Sequence, residues 1–295
     1  MLAELLTEQR NPASERIDEL STTEMLAVIN REDHGIALAV EREIPRIAEA
    51  VDAVADRLRH GGRLFYIGAG TSGRLGVLDA SECPPTYNVP YELVQGIIAG
   101  GEAALYKATE STEDNPDAGV RDLMARRFTG GDALVGIAAS GRTPYVLGAI
   151  GKATELGAVT VGISCTPDSE LSRAVQIPIA PLVGPEVVTG STRMKAGTAT
   201  KLVLNMLSTG VMIRLGYVYG NLMVNVQPKN HKLVDRARRI VASAAGVGYD
   251  KATELLDGAQ GVVRLAIVMG RLGVNRDTAE ERLQAAGGRV ADAVR

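Results

Sequence analysis

The sequence contains no tryptophan, and aromatic residues make up only 3% of its 295 positions. Its core must therefore be aliphatic, and it has few rings on which unpaired bases could stack. Its charge is nearly balanced, with a net charge of −3 and a pI of about 5.8. Because no surplus of positive charge attracts phosphate backbones or anionic lipids, we expect neither a nucleic-acid partner nor a membrane partner.

Cysteine is also scarce. Cys83 and Cys165 are too few for a disulfide framework and are typical of a reducing compartment. The N-terminal segment MLAELLTEQRNP lacks a basic stretch followed by an apolar one, so we expect no signal peptide. The apolar stretch 202–226 is interrupted by Asn205, Arg214 and Asn221, which argues against a membrane span. We therefore expect a cytoplasmic protein.

A glycine-rich loop at residues 68–73, G-A-G-T-S-G, follows an apolar run at 64–67 that is typical of a fully buried strand. Residues 74–78 are predicted to begin a helix. The first N–H groups of such a helix are unpaired and favour an anion, most often a phosphate. The loop matches neither the dinucleotide fingerprint nor the Walker loop, and a tight turn without a ligand is the alternative interpretation.

A second loop resembles the first. I-A-A-S-G-R at 137–142 repeats the Ser-Gly-Arg of residues 72–74 after another apolar run. Two neighbouring parallel strands would present both loops at the carboxyl edge of one sheet, where open α/β sheets bind ligands. We therefore expect a phosphorylated ligand. The residues predicted to bind it are Gly70, Thr71, Ser72, Ser140, Arg142 and Thr143.

The remaining pattern predicts an α/β fold, with an open parallel sheet flanked by helices and a small C-terminal helical bundle. Before the sheet, Ser21 begins a helix with a capping box, and Pro45 is expected either to kink a second amphipathic stretch at 36–60 or to divide it in two. Further strands are predicted at 91–94, from 133, at 159–164 and at 176–179. Further helices are predicted at 102–108, 118–127, 146–156 and 202–215. We place a domain boundary near Pro228, which gives domains at 1–227 and 228–295.

Four motifs together closely resemble the N-acetylmuramic acid 6-phosphate etherases, a family with the sugar isomerase (SIS) fold. They are GAGTSGR at 68–74, ASECPP at 80–85, IAASGRTPYV at 137–146 and GPEVVTGSTRMKAGTATK at 184–201. The last motif is also similar to a signature of the glucokinase regulatory protein. The resemblance extends from Ser21–Met25 to the N-x-K-L motif at Asn230–Leu233 and is specific because the motifs occur jointly.

The resemblance implies cleavage of the D-lactyl ether of N-acetylmuramic acid 6-phosphate, which gives N-acetylglucosamine 6-phosphate and D-lactate in cell-wall sugar recycling. In the open-chain sugar the ether lies β to the aldehyde, so the C2 proton is acidified and lactate can leave by elimination before water adds at C3. One group must take the C2 proton and another must protonate the leaving oxygen. Two carboxyl groups suffice for these roles, and we expect no cofactor.

The resemblance assigns the acid to Glu82 of A-S-E-C and the base to Glu113 of the acidic segment 110–114. On residue pattern alone, Glu82 could be a solvated carboxylate at a helix end, and the run around Glu113 is typical of an exposed face. We expect Glu82 to be buried against the strand end and the Pro84-Pro85 turn. Glu110 is the alternative base.

Other reactive residues carry weaker predictions. The three histidines lack ligand spacing, so we expect no metal site. Cys83 is interpreted as a small apolar filler. Arg193, Lys195 and Lys201 either bind a phosphate or carboxylate or cap helices. Lys232 of the N-x-K-L motif is predicted to reach a phosphate from the helical domain.

Two other functions remain open. An aldose–ketose isomerase on the same fold would move a proton between C1 and C2. A non-catalytic sugar-phosphate sensor resembling the glucokinase regulatory protein would need two tandem sugar-phosphate domains, and this chain has room for one. The family resemblance also implies a homodimer with sites near the subunit interface.

Overall fold

The computed structural model describes residues 6–107, 112–226 and 231–295. The chain forms two compact units. The first contains Met1–Ser81 and Tyr91–Ser208, and the second contains Glu82–Pro90 and Thr209–Arg295. The predicted boundary at Pro228 lies outside the described residues, so the division into domains 1–227 and 228–295 stays a prediction.

The first unit is built on a five-stranded parallel sheet with the strand order β2-β1-β3-β4-β5. Its strands are β1 (Leu64–Gly68), β2 (Val94–Ile98), β3 (Ala133–Ile137), β4 (Val159–Ile163) and β5 (Ile177–Ile179). The residues of β1, β3 and β4 are all buried, which explains why these strands are almost entirely apolar and do not alternate between apolar and polar residues. The predicted open parallel sheet is confirmed.

Eight α-helices accompany the sheet in the described chain. They are α1 (Thr22–Asp33), α2 (Ile36–Glu41), α3 (Ile44–Arg59), α4 (Gly70–Tyr87), α5 (Pro116–Ala125), α6 (Pro144–Glu155), α7 (Glu170–Ala174) and α8 (Lys195–Arg214). The capping box of Ser21 and Glu24 is present at the start of α1. Pro45 lies in the first turn of α3, and α2 and α3 are separate helices, which is one of the two predicted alternatives.

Three predicted element bounds are wrong. Residues 91–93 form a turn, and the strand begins only at Val94. The helix expected at 102–108 is a short 3₁₀-helix, Glu102–Leu105, and Ala108 lies outside the described residues. Helix α8 begins at Lys195, seven residues before its predicted start at 202. Local pattern could not place that start, because the helix is capped by Glu186, nine residues earlier, and not by a residue at the usual N-cap position.

Helices cover both faces of the sheet. On one face, Phe65 and Ile67 of β1 share an apolar core with α5, α6 and α7. On the opposite face, Gly76 of α4 lies against Tyr66, and a Cβ atom at Gly76 would be 2.9 Å from the Tyr66 Cβ atom. The alternation of β1 side chains between the two faces therefore places α4 and α5 on opposite sides of the sheet.

Asp79 is a partly buried carboxylate in α4. Ser208 of α8 donates a hydrogen bond to it, with 3.1 Å between Ser208 Oγ and Asp79 Oδ1. Burial raises the pKa of Asp79 to about 6, although hydrogen bonds from Tyr66 and Ser208 act in the opposite direction. The folded protein thus binds a proton at Asp79 more tightly than the unfolded chain, whose aspartates have a pKa of about 3.9.

Replacing Asp79 by asparagine should change how the free energy of unfolding depends on pH. The stabilising effect of the proton is present below about pH 4 and is lost as the pH rises through about 6. A shift of about two pKa units corresponds to about 3 kcal/mol. As the pH falls from about 7 to about 4, the free energy of unfolding measured in urea should therefore become more favourable to the folded state in the wild type than in D79N. The difference should reach up to about 3 kcal/mol. Asp257→Asn, at an exposed position, is the control, and parallel pH curves for the wild type and D79N would contradict the prediction.

The second unit is mainly helical, as predicted for the C-terminal part of the chain. Its helices are α9 (His231–Ala245), α10 (Tyr249–Gly258), α11 (Val263–Leu272), α12 (Arg276–Ala285) and α13 (Val290–Ala293). A short antiparallel hairpin of β6 (Val218–Tyr219) and β7 (Leu222–Met223), which the sequence did not predict, precedes them. These elements share one apolar core. In the described part of the chain, no helix combines the length and hydropathy that a membrane span requires.

Candidate active site

The two predicted ligand loops follow neighbouring strands. Strands β1 and β3 pair in parallel with Gly68 opposite Ile137, so the loops leave the same edge of the sheet. The connection from β1 leads to β2 on one side, and the connection from β3 leads to β4 on the other. Such a reversal of direction opens a crevice at the carboxyl ends of the strands, which is the usual ligand site of an open α/β sheet.

The first loop enters α4 through Gly70, whose φ of +52° favours glycine. Thr71 and Ser72 lie half-buried in the first turn of the helix. The Gly73 N–H already donates to the Ala69 carbonyl oxygen at 3.2 Å. The preceding N–H groups of the first turn are therefore the ones suited to an anion.

The second loop is shaped by Gly141. Its φ is +68°, and a Cβ atom there would lie 2.2 Å from the Ser169 Cβ atom, so only glycine fits. The Arg142 N–H donates to Ser140 Oγ at 3.4 Å. The exposed Arg142 side chain is paired with Glu170, with 2.9 Å between Nε and Oε1. Ser140 is half-buried, whereas Arg142 would have to exchange its carboxylate partner for a ligand.

Glu113 lies against this second loop. The charged residues next to Glu113 in the sequence did not indicate this position. Thr143 Oγ1 donates to Glu113 Oε1 at 3.2 Å, and the Tyr145 N–H donates to the Glu113 carbonyl oxygen at 3.0 Å. The side chain is half-buried, unlike that of its exposed neighbour Asp114. The structure therefore brings together Glu113 and Thr143, two of the predicted site residues. Glu110 lies outside the described residues.

Close packing of α5 against α6 supports this contact. A Cβ atom at Gly119 would lie 1.9 Å from the Tyr145 carbonyl oxygen, and one at Gly148 would lie 2.3 Å from the Pro116 carbonyl oxygen. The Tyr145 hydroxyl donates to Asp122 Oδ2 at 2.6 Å across the same interface. Because the two backbones approach this closely, the segment before α5 that carries Glu113 is held next to the start of α6.

Glu82 differs from its expected environment. It lies within α4 and is exposed, and Pro84 and Pro85 continue the helix instead of forming a turn. The expectation that Glu82 is buried is therefore wrong, because the helix continues past the ASECPP motif. Glu82 belongs to the second unit and Glu113 to the first, so the pairing of the two carboxylates stays a prediction. Cys83 is buried, as expected for an apolar filler.

The cations of the 184–201 motif have different environments. Lys195 is buried, and its Nζ atom lies 2.7 Å from Glu32 Oε2, an interaction that lowers the pKa of Glu32. Glu186 is also buried, and its carboxylate accepts hydrogen bonds from the N–H groups of Lys195 and Ala196. Glu186 therefore caps α8 and occupies the position that an anion would take at this helix start. No local capping pattern in the sequence signals it.

The remaining candidates are peripheral. Arg193 and Lys201 are exposed, as is Lys232 in the first turn of α9. Asn230 of the N-x-K-L motif lies outside the described residues. Burial raises the pKa of the Cys165 thiol to about 12, so it is not a nucleophile near neutral pH. Among the described residues, no group of three or more histidine, cysteine or acidic side chains could hold a metal ion.

These features define the class of the protein as an α/β protein of the sugar isomerase (SIS) type. Residues 46–154 match the family model described as the glucokinase regulatory protein N-terminal SIS domain. The fold is similar to that of phosphoheptose isomerase GmhA from Neisseria gonorrhoeae. That similarity has a TM-score of 0.51 at 15% identity and covers 65% of this chain and 98% of the other.

Similarity to curated proteins extends over nearly the whole chain. The sequence is 54% identical to the N-acetylmuramic acid 6-phosphate etherase of Clostridium beijerinckii, over 99% of this chain and 96% of that protein. It is 57% identical to the etherase of the same name from Vibrio vulnificus strain YJ016, over 96% of this chain and 94% of that protein. The chain belongs to the N-acetylmuramic acid 6-phosphate etherase family.

Proposed function

We infer that this protein is an N-acetylmuramic acid 6-phosphate etherase, a carbon–oxygen lyase. The observation that carries this inference is the identity of 54–57% to etherases over at least 96% of the chain. The substrate is then N-acetylmuramic acid 6-phosphate, and the products are N-acetylglucosamine 6-phosphate and D-lactate. The reaction belongs to the catabolism of N-acetylmuramate during peptidoglycan recycling.

We propose that two carboxyl groups carry out the chemistry. Glu113 takes the C2 proton of the open-chain sugar, and Glu82 protonates the ether oxygen as lactate leaves. Water then adds at C3. The contact between Glu113 and Thr143 supports the first role, since it places a carboxylate beside a predicted ligand loop. The second role rests on the match of Glu82 to the family motif.

Incubation with N-acetylmuramic acid 6-phosphate and an assay for D-lactate tests the function directly. An etherase releases lactate and N-acetylglucosamine 6-phosphate. Interconversion of aldose and ketose phosphates without lactate would instead identify an isomerase. Binding of the sugar phosphate with no turnover would identify a sensor. Either of the last two results would overturn the inferred function.

We propose that Ser72 and Ser140, together with neighbouring backbone N–H groups, bind the 6-phosphate, with Gly70, Thr71, Arg142, Thr143 and Lys232 as further ligand-binding residues. The support is that the loops of Ser72 and Ser140 follow adjacent strands and leave the same edge of the sheet.

Replacing Ser72 by alanine should raise KM by roughly 10- to 100-fold, because a hydrogen bond to a charged group contributes about 1.5–3 kcal/mol. Steady-state kinetics of lactate release measures this change. Ser243→Ala, at an exposed position in α9, is the matched control and should leave KM unchanged. A wild-type KM for S72A would remove Ser72 from the phosphate site.

We also propose that the protein is a homodimer located in the cytoplasm. Cys83 and Cys165 are buried and are not joined in a disulfide, which is compatible with a reducing compartment. Leu78 and Met206 are 51% and 42% exposed, an apolar surface that a second subunit would cover. Sedimentation velocity at about micromolar concentration should give a dimer, because standard interfaces bind at least this tightly. A monomer would contradict the proposal.

Mixed dimers would show which subunit supplies each carboxylate. Random pairing of Glu82→Gln and Glu113→Gln subunits makes about half of the dimers mixed. If each site takes one carboxylate from each subunit, a mixed dimer has one intact site, and the mixture recovers about a quarter of wild-type activity. If both carboxylates come from one subunit, the mixture stays inactive.

A further inference from the structure

The second unit contains a cavity of about 550 Å³ beside the start of α11. Its polar lining consists of Arg264, Tyr217 and three residues with amide side chains, Asn88, Asn225 and Gln260. None of the described residues that line it is acidic. The volume lies in the range of small-molecule sites and exceeds what a bare inorganic ion requires. No residue of the proposed active site lines this cavity.

Arg264 carries a positive charge that no carboxylate of the cavity lining balances. Its Nη1 atom donates to the Gly288 carbonyl oxygen at 3.2 Å, and its Cζ atom lies 5.8 Å from the ring centroid of Tyr217. Its Nε atom is buried and has no hydrogen-bond partner within the described chain. Burial lowers the pKa of Arg264, as expected for a cation with too little solvation. An anion in the cavity, next to the guanidinium, would supply the missing opposite charge.

The first turn of α11 adds positive potential at the same place. Val262, Val263 and Arg264, which begin this helix, all line the cavity. The N-cap residue Val262 has no polar side chain, and no side chain of the described residues caps the helix. The helix dipole and its unpaired N–H groups therefore favour a negatively charged ligand, as Arg264 does.

We propose that this cavity binds a small anionic sugar derivative, with its carboxylate or phosphate group at Arg264 and the start of α11. The amide side chains of Asn88 and Gln260 are suited to hydroxyl groups, whereas Asn225 Nδ2 already donates to the Tyr87 carbonyl oxygen at 2.6 Å. The ring of Tyr217 is suited to the apolar face of a sugar. A planar guanidinium matches carboxylate and phosphate geometry equally well, so both anionic groups fit this description. The site goes beyond the proposed function, because it lies outside the elements that carry the predicted catalytic and binding residues.

Fluorine NMR of the full-length protein labelled with 3-fluorotyrosine tests the proposal. The chain has eight tyrosines, and Tyr217→Phe identifies the resonance of Tyr217, which reports on the cavity. D-Gluconate and D-glucose 6-phosphate are titrated separately to about 10 mM, enough to fill most of a site with a millimolar Kd. We expect at least one of them to shift the Tyr217 resonance, and the one that does identifies the anionic group. Neutral D-glucose should leave the resonance in place.

Two variants locate the anion. Arg264→Gln should weaken binding at least about 10-fold, because it removes the charge and the forked donors. Arg271→Gln is the matched control, since Arg271 is exposed on the same helix and does not line the cavity. Arg264→Lys keeps the charge without the planar fork and should weaken binding less than the glutamine variant does. If the Arg264→Gln variant does not fold, Arg264→Lys is compared with the wild type in its place.

The proposal is overturned if neither anion moves the wild-type Tyr217 resonance. It is also overturned if D-glucose moves the resonance as far as the anions do, or if Arg271→Gln weakens binding as much as Arg264→Gln. In those cases Arg264 serves only to hold the Gly288 backbone and the Tyr217 ring.

Discussion

Glu113→Gln should abolish both D-lactate release and the exchange of the substrate C2 proton with solvent deuterium. Glutamine keeps the size of the side chain and can still meet the Thr143 hydroxyl, but it cannot accept a proton as a base. General acid–base groups typically contribute about 10²–10⁴-fold to the rate, so both rates should fall by that amount. NMR of the C2 position in deuterium oxide measures exchange, and a coupled assay measures lactate.

Glu82→Gln should separate the two rates. Because the base is intact and the aldehyde acidifies the C2 proton, some exchange should persist while lactate release falls by about 10²–10⁴-fold. Asp114→Asn is the matched control, since it removes an exposed carboxylate next to Glu113 and should change neither rate. If E113Q still exchanges C2 deuterium at the wild-type rate, Glu113 is not the base and Glu110 becomes the next candidate.

Gly119→Ala should lower both the stability of the protein and kcat. The added methyl group would lie 1.9 Å from the Tyr145 carbonyl oxygen, so α5 must move away from α6. Overpacking of this kind costs about 1–3 kcal/mol, only partly offset by the better helix propensity of alanine. The shift would also loosen the two hydrogen bonds that hold Glu113 at Thr143 and Tyr145. A misplacement of about 1 Å can lower the rate about 100-fold, and we expect kcat to fall accordingly.

Gly151→Ala in α6 is the control for this prediction. Apart from its chain neighbours and the adjacent backbone of α6, no described atom lies within 4 Å of the added methyl group. The change in helix propensity should therefore dominate and stabilise the protein by up to about 1 kcal/mol. Urea unfolding of the two variants should therefore show changes of opposite sign. Wild-type stability together with wild-type kcat in G119A would show that the α5–α6 contact does not position Glu113.

Much of the first unit was predictable from sequence, because the relevant signals are local. The apolar runs of β1, β3 and β4 identify buried strands, and the glycine-rich loops after β1 and β3 identify the ligand edge of the sheet. The capping box at Ser21 and the division at Pro45 follow from the chemistry of single residues. The family followed from four motifs spread over the chain, whose joint occurrence is specific although each alone is weak.

Tertiary structure decided the features that depend on residues far apart in the chain. Glu113 lies in a charged run typical of an exposed face, yet contacts with Thr143 and Tyr145, about thirty residues away, make it half-buried. Helix α8 begins at Lys195 because the Glu186 carboxylate, which does not lie at the usual N-cap position, accepts a hydrogen bond from the Lys195 N–H group. The Lys195 side chain forms an ion pair with Glu32. Arg264 is one arginine among many in the sequence. Only the fold leaves its charge in a cavity lined by no acidic residue of the described chain, because burial and pairing depend on the whole surroundings of a side chain.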